Sequence, residues 1–326
     1  MTKVAVVILN YNGQKFLETF LPSVIEHADG YEIIIADNAS TDGSLAYLKN
    51  HHSTLKTIQL PTNQGFAGGY NNALKEVEAE YYVLLNSDVE VSANWTKPII
   101  DLMDTDKSIA AYQPKIRSYH QKTHFEYAGA AGGYIDWLGY PFCRGRVFDS
   151  YEEDKGQYDD TQEIFWATGA CMFVRADVFH QLGGFDAHFF AHMEEIDLCW
   201  RMKNAGYKIM YASASTVYHV GGGTLHKSNP RKTFLNYRNG LAMLYKNIPA
   251  DKLFSTILLR LVLDGISGIK LLVDGSFADF LAVIKAHFAF YAMIPKLKRE
   301  SPRNVSKIYQ KSIVWEYFVK KQKPIL

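Results

Sequence analysis

Cysteine is scarce. The 326-residue chain has three, Cys143, Cys171 and Cys199, widely spaced and without a CxxC pair, which argues against a disulfide framework or thiolate zinc site and fits a reducing compartment. Excess charge is missing too. The 35 Lys and Arg against 34 Asp and Glu leave a formal net charge of +1, so no nucleic-acid partner drawn by overall charge is expected. No stretch offers about 18 uncharged apolar residues, which argues against a simple spanning helix. The apolar start at residues 4–9 turns polar too soon for a signal peptide. Neither a Walker loop nor a GxGxxG fingerprint is present, against a nucleoside triphosphatase and a dehydrogenase.

What is present is a globular composition, 48% hydrophobic and 21% charged, over a length that suggests about two domains. Val4-Ala-Val-Val-Ile-Leu9 is a continuous branched run, the pattern of a strand buried on both faces. Asn10-Tyr-Asn-Gly13 breaks it, and a helix is expected over 15–27. The unit then repeats: strand 31–36, polar break Asp37 to Asp42, helix 43–50; strand 55–60, break Asn63 to Gly69, helix through 78; strand 81–85, stopped by Asn86-Ser87-Asp88. Such alternation predicts a doubly wound α/β domain with its polar loops gathered on one sheet edge, where open sheets bind ligands.

Those loops carry candidate chemistry. Asp37 follows a buried strand directly, so its carboxylate can accept from a base ring N–H or cap a loop; for Asp42 capping is preferred. Gly65, Gly68 and Gly69 precede a helix and let backbone N–H groups approach an anion. Asp88 reads as a turn residue or as a ligand for a hard cation such as Mg2+ or Mn2+. Residues 127–146 are rich in glycine and aromatics without a period; packing onto the core is expected, with Trp137 held open as a sugar platform. Residues 164–175 read as a strand containing Gly169, 177–182 as a short helix and 193–205 as a helix stopped by Gly206. On that last helix Glu194, Asp197 and Arg201 share a face, with Asp197 and Arg201 spaced to pair. Glu195 points about 100° away. Acids in a first turn also complement the helix dipole, which can account for Glu194 and Asp197; for Glu195 a functional role is expected. A strand at 207–211 and the segment Val217-Tyr-His-Val-Gly-Gly-Gly223 set His219 before a glycine loop, as a structural residue or a metal ligand.

After Tyr237-Arg-Asn-Gly the composition changes to long apolar helices. Over 253–273 Arg260, Asp264, Ser267 and Asp274 recur at near-helical spacing and leave a wide apolar face; 277–294 continues in the same manner until Pro295. From Lys296 to Lys323 nine Lys or Arg stand against Glu300 and Glu316. Apolar faces beside a basic tail fit an anionic membrane surface, and equally a helical subdomain or dimer interface.

The Val-Val-Ile-Leu-Asn-Tyr-Asn-Gly start, Asp37-Asn-Ala-Ser-Thr-Asp42, Asn63-Gln-Gly-Phe66, Asn86-Ser-Asp88, the Phe189-Phe190 to Arg201 block, His219 with its glycines and Arg238-Asn239 together resemble glycosyltransferase family 2, in its rhamnosyltransferase and O-antigen or cell-wall polysaccharide branch. The resemblance covers roughly residues 2–247. It implies a GT-A fold, α/β and Rossmann-like with a mostly parallel central sheet, in a catalytic domain at 1–228 followed by a helical, basic extension at 229–326. It implies an inverting, metal-dependent transferase using Mg2+ or Mn2+, a dTDP-, UDP- or GDP-sugar donor and a glycan or lipid-linked acceptor. The expected location is cytoplasmic, peripheral on the inner face of the cell membrane. By resemblance Glu195 is the catalytic base and Asp88 and His219 hold the metal. Asn10, Asp37, Asn63, Gly65, Phe66, Asn86 and Ser87 bind the donor, with Asp37 on the base. Trp166, Gly169, Glu194, Asp197 and Arg201 lie on the orienting or acceptor side. Two departures stand out: the DxD-type motif begins with Asn86, and the usual Glu-Asp pair reads Glu194-Glu195. Two other readings stay in view. A nucleotidyltransferase would need a basic phosphate loop, which Asn10 to Gln14 does not offer; a non-catalytic nucleotide-sugar binding module would carry the acidic helix for structure alone.

Overall fold

A computed structural model describes residues 2–221, 229–300 and 305–322; Gly222, Gly223 and Lys323, named above, and Arg303 of the basic tail lie outside them. The first half alternates as expected: β1 (Thr2–Asn10), α1 (Gln14–Glu26), β2 (Glu32–Asp37), α2 (Ser44–His51), β3 (Lys56–Gln59), α3 (Gly65–Ala73) and β4 (Ala79–Asn86). Strands β3-β2-β1-β4 run parallel. Their apolar runs are continuous because both faces are covered: Val4, Val6 and Ile8 join a core with α1, whereas Ala5 and Val7 join one with α3. α3 is shorter than expected, closing in a 3-10 turn at Leu74–Glu76 that frees the chain to enter β4.

Next come β5 (Val89–Val91), α4 (Lys97–Thr105) and β6 (Ile109–Ser118). The aromatic, glycine-rich segment builds a second small sheet from β7 (Gly133–Asp136), β8 (Pro141–Cys143), β9 (Arg146–Val147) and β10 (Ser150–Tyr151). The run expected as one strand at 164–175 is divided. β11 (Thr161–Ile164) pairs with a later strand, residues 165–170 cross beside the ligand edge, and β12 (Cys171–Arg175) inserts antiparallel between β4 and β6. The large sheet is therefore mixed: parallel in its first half, and antiparallel around β12. After α5 (Ala176–Gln181) and α6 (Glu194–Asn204), the strand expected at 207–211 continues through His219 as β13 (Lys208–His219), parallel to β6 across a bulge.

The C-terminal part is helical: α7 (Pro230–Asn247), α8 (Ala250–Val273) and α9 (Phe277–Met293), after which β14 (Ile308–Tyr309) joins the small sheet beside β7. Residue 229 is not a break in the core, since Leu241, Ala242, Met243 and Leu244 of α7 pack in the same cluster as α3 and α6. Helix α8 is inside out. Arg260 and Asp264 are buried at 4% and 0% exposure, while Phe254, Val262, Ile266 and Val273 are exposed, Phe254 by 80%. The buried pair is satisfied locally: Arg260 Nε donates to Asp264 Oδ1 at 2.9 Å, Arg260 Nη1 to the Leu138 carbonyl at 3.0 Å, and the Tyr140 hydroxyl to Asp264 Oδ1 at 3.0 Å. Contrary to expectation, one stretch among the described residues, Phe277–Lys296, is long and apolar enough to cross a membrane by length and composition.

Candidate active site

A cleft of about 970 Å³ opens at the ends of β1 and β4, between the small sheet and the starts of α6 and α7. Backbone pairing delivers its two central groups together. β5 and β13 pair with His219 opposite Val89, and the Val220 N–H donates to the Asp88 carbonyl, so Asp88 and His219 meet although they lie far apart in sequence. His219 Nε2 is 3.2 Å from Asp88 Oδ1, and His219 Nδ1 is 3.0 Å from Glu126 Oε2. Burial opposes charge on this imidazole, but the flanking carboxylates raise it well above its usual range. Burial likewise acts to raise Asp88 and Glu126, yet both are lowered by His219. Glu126 is held in turn by the Ala128 N–H at 2.5 Å.

This donor set fits a divalent ion. Two neighbouring ligands on an octahedral ion with bonds of ~2.1 Å stand ~3 Å apart, close to the 3.2 Å seen between Asp88 and His219. A carboxylate behind the far imidazole nitrogen is the arrangement that fixes a metal-binding tautomer. No cluster of three or more His, Cys, Asp or Glu with metal-binding geometry occurs among the described residues, so diphosphate oxygens would have to complete the shell.

Glu195 arrives on the first turn of α6 by a strained route. Phe190, His192 and Met193 have φ of 66°, 70° and 73°, a conformation that costs about 1–3 kcal/mol per non-glycine residue. Asn239 of α7 offsets it: its Nδ2 donates to the carbonyls of Phe189, Ala191 and His192 at 2.9, 2.9 and 2.7 Å. Arg238 adds bonds to the His188 and Phe189 carbonyls at 3.1 and 3.0 Å. The loop delivers Glu194 and Glu195 to the cleft, each with Oε2 buried and unpartnered among the described residues. Burial pushes Glu195 up to about 7. Burial, with the Glu195 charge added, raises Glu194 well above the carboxylate range.

The remaining expected residues divide into wall and frame. Asn63, Gly65, Phe66, Asn86, Ser87, Trp166 and Gly169 line the cleft. Gly65 has φ +71°, and a Cβ there would lie 2.3 Å from the Phe190 carbonyl oxygen; a Cβ on Gly169 would lie 2.9 Å from the Phe66 ring. Asn10 and Asp37, expected on the donor, are buried at 0% and 1% exposure at the ends of β1 and β2, next to the cleft lining. Asn10 Nδ2 donates to Asp37 Oδ2 at 3.0 Å and the Ser40 N–H to Asp37 Oδ1 at 2.9 Å, bracing the ends of β1 and β2; their neighbours Tyr11 and Asn38 reach the cleft instead. Asp42 caps as expected, accepting from the N–H groups of Gln14 and Ser44, both at 3.0 Å. Asp197 and Arg201, expected on the orienting or acceptor side, are buried and belong to the frame. They pair at 2.8 Å, and Asp197 takes Lys246 Nζ at 2.8 Å and Asn247 Nδ2 at 2.9 Å, tying α6 to α7. Trp137 lies away from the wall. Sequence reasoning missed Glu126, Arg146, His192, Arg231 and Lys232, all on the cleft; the only local signal among them is Asn229-Pro230, a helix start that presents Arg231 and Lys232.

The chain is similar to known proteins along this framework. The N-acetylglucosaminyl-diphospho-decaprenol L-rhamnosyltransferase of Mycobacterium tuberculosis is 24% identical over 230 residues, covering 66% of this chain and 75% of that one. The rhamnosyltransferase WbbL of Escherichia coli is 21% identical over 229 residues, covering 66% and 83%. Among solved structures, GalNAc-T7 with UDP, GalNAc and Mn2+ matches with a TM-score of 0.59 at 19% identity over 77% of this chain, which spans about half (49%) of that one. The Staphylococcus aureus TarS fragment 1–349 in complex with UDP-GlcNAc matches with a TM-score of 0.57 at 16% identity, covering 90% and 82%. These likenesses show the GT-A fold. The sequence profile of glycosyl transferase family 2 matches residues 5–183, from β1 to the end of α5, the stretch that builds the cleft floor and contributes Asp88; the chain belongs to that family and is a glycosyltransferase.

Proposed function

We propose that this chain is an inverting, metal-assisted transferase that moves a hexosyl or deoxyhexosyl group from a nucleotide-diphosphate sugar to a hydroxyl of a glycan or lipid-linked acceptor in surface polysaccharide synthesis. The observation that carries the reading is Glu195: a buried carboxylate with an oxygen unpartnered among the described residues and an affinity for protons near neutrality, on the same cleft as the Asp88–His219 pair. As the acceptor oxygen attacks the anomeric carbon, Glu195 takes its proton. The bond from that carbon to the diphosphate oxygen breaks, and attack from the opposite face inverts the centre. Two adjacent buried carboxylates do not ionise together. Glu194, the more strongly raised, holds its proton and leaves the charge on Glu195. Asp88 and His219 would hold a divalent ion, Mg2+ or Mn2+, which when bound neutralises charge on the diphosphate leaving group.

The names of the mycobacterial and Escherichia coli relatives, an N-acetylglucosaminyl-diphospho-decaprenol L-rhamnosyltransferase and a rhamnosyltransferase, support a deoxyhexose donor and a lipid-linked acceptor. A thermal-shift screen of dTDP-, UDP- and GDP-sugars with and without Mn2+ identifies the donor. Transfer is then measured with Glu195→Gln, which should bind donor and metal as the parent does and lose transfer by at least about a hundredfold. Transfer near the parent rate removes Glu195 as base, and loss of donor binding in Asp88→Asn only when Mn2+ is present supports the metal assignment.

We also propose that α8 and α9 rest on an anionic membrane surface on the cytoplasmic side. Their outward apolar stripe is flanked by Lys252, Lys285, Lys296 and Lys298, all exposed and none ion-paired among the described residues. In this reading residues 1–228 carry the transfer chemistry and 229–326 the docking, with α7 shared. Flotation with anionic liposomes tests it; failure to float, with reversible dimer formation instead, would assign the stripe to a second copy.

A further inference from the structure

We infer that Arg146, Arg231 and Lys232 form an anion subsite on the cleft wall that takes a phosphate or diphosphate ester without help from a divalent ion. It rests on the transferase reading of the cleft and adds to that reading a place where phosphate is gripped by side chains. All three residues line the cleft. None has a carboxylate within ion-pair distance among the described residues, and the residues outside that set contain no Asp or Glu.

Arg146 carries the argument furthest. It is 8% exposed, and buried Arg is rare without a counter-charge. Its Nε donates to the Tyr127 carbonyl at 3.0 Å and its guanidinium lies 3.6 Å from the centre of the Tyr127 ring. Those contacts orient the fork, and Glu126 favours its charge through space without coming within ion-pair distance. Glu126 has its Oε2 committed to His219 Nδ1 and the Ala128 N–H. The same hairpin supplies a contrast: Arg144 is also buried but meets Asp160 with two parallel bonds of 2.8 Å.

Arg231 and Lys232 point the same way from another element. They occupy the first turn of α7, an 18-residue helix with no acid there. Cations at a helix N-terminus oppose the dipole, and an anion is what that end favours. The backbone does not explain them, because the cap is supplied by Asn229, whose side chain accepts from the Arg231 N–H at 2.9 Å. Tyr127 brings the two groups together: Lys232 Nζ is 5.6 Å from the ring that Arg146 stacks on. Arg231 lies 4.9 Å from the Phe190 ring, and His192, whose Nε2 is buried without a partner among the described residues, is on the same wall. Three cations and an N-terminal turn suit a ligand with two or more negative charges. A diphosphate of the donor and a phosphate ester of the acceptor share that chemistry.

The test uses the full chain and inorganic pyrophosphate, titrated calorimetrically in EDTA. The parent protein is expected to bind with strong salt dependence, and Arg146→Met and the double variant Arg231→Met/Lys232→Met to bind at least about tenfold more weakly. Equal affinity in parent and variants, or no binding by the parent, overturns the subsite. Thermal midpoints separate it from a structural role: the double variant should melt no lower than the parent, whereas a structural role predicts a lower midpoint and an unchanged titration. Steady-state kinetics then assign the source. A raised KM for the donor in the variants places the donor diphosphate here; a lost preference for a phosphorylated acceptor over its phosphate-free counterpart places the acceptor; neither change overturns the role in transfer. If the parent transfers no sugar at all, the transferase reading fails while the pyrophosphate titration still decides the subsite.

Discussion

His219 Nδ1 lies 3.0 Å from Glu126 Oε2 across 93 positions of sequence, so the ring that faces Asp88 on one side is held by a second carboxylate on the other. In the proposed metal site Glu126 would set which nitrogen carries the proton, leaving Nε2 for the ion. Glu126→Leu is expected to weaken Mn2+ binding by about 10–100-fold, with Glu126→Gln, which can still accept the Nδ1 proton, between that variant and the parent. Calorimetric Mn2+ titration checks the order; a Leu variant that binds like the parent would show that His219 orients itself.

Asn239 is the second remote residue on which the site depends. One amide serves three carbonyls of a loop whose non-glycine residues adopt left-handed φ. Asn239→Ala leaves those carbonyls short of a donor in a buried place, costing on the order of 3 kcal/mol. Glu195 then loses its fixed position. The expected pattern is a lowered midpoint, a kcat reduced more than tenfold and little change in donor KM, because the proposed donor contacts come from other elements. A fall in donor affinity with kcat intact would reassign the loop to donor binding.

Glu194 and Glu195 give opposite pH signs for stability and rate. Burial raises both, Glu195 to about 7, so the folded state keeps protons that the unfolded chain releases above pH ~4.3. Stability from Glu195 is complete below that pH and is lost as the pH rises through about 7, and Glu194, also raised well above the carboxylate range, adds a loss of the same sign. Glu194→Gln, neutral at every pH, should therefore raise the midpoint by several degrees at about pH 8 and leave it unchanged at about pH 4. As the proposed base Glu195 must be ionised for transfer, so kcat/KM should climb tenfold per pH unit up to about 7 and then level off. A flat profile across that range would mean that another group takes the proton.

These residues also mark what was legible in the chain. Strands β1, β2 and β4 are plain in the sequence because they are apolar on both faces, a local signal of burial between two helical layers. Inserting β12 antiparallel is not, since Cys171–Arg175 continues the apolar run before it and its direction depends on β4 and β6. Asp88, Glu195 and His219 are recognisable by motif. Asp37 shows the limit of that method: the local pattern is the same for a ligand contact and a brace, and the bonds from Asn10 and Ser40 that make it a brace are visible only in the fold. Glu126 and Arg146 sit in a segment without periodicity and signal nothing until the sheet brings them to the cleft. Arg238-Asn239 is visible as a pair, yet its task is set by carbonyls about fifty residues earlier.

Helix α8 turns spacing into a prediction about solvent. Arg260, Asp264 and Ser267 recur at helical intervals, and the polar side is the buried one because the Leu138 carbonyl, Tyr140 and Tyr237 wait there. The face left outside carries Phe254, Leu258, Val262, Ile266, Ile269 and Val273, each more than half exposed. Fully burying such a side chain contributes about 1.5–3 kcal/mol, and a lysine near an anionic surface about 1 kcal/mol. The apolar term therefore dominates over four lysines. Flotation on anionic liposomes should weaken with salt but persist, and Val262→Asp/Ile266→Asp should abolish it while Lys285→Gln/Lys298→Gln only reduces it. The midpoint of the aspartate variant should hold, since neither side chain packs inside. Complete release by salt alone would make the contact electrostatic, and an aspartate variant that still floats would move the membrane face off α8.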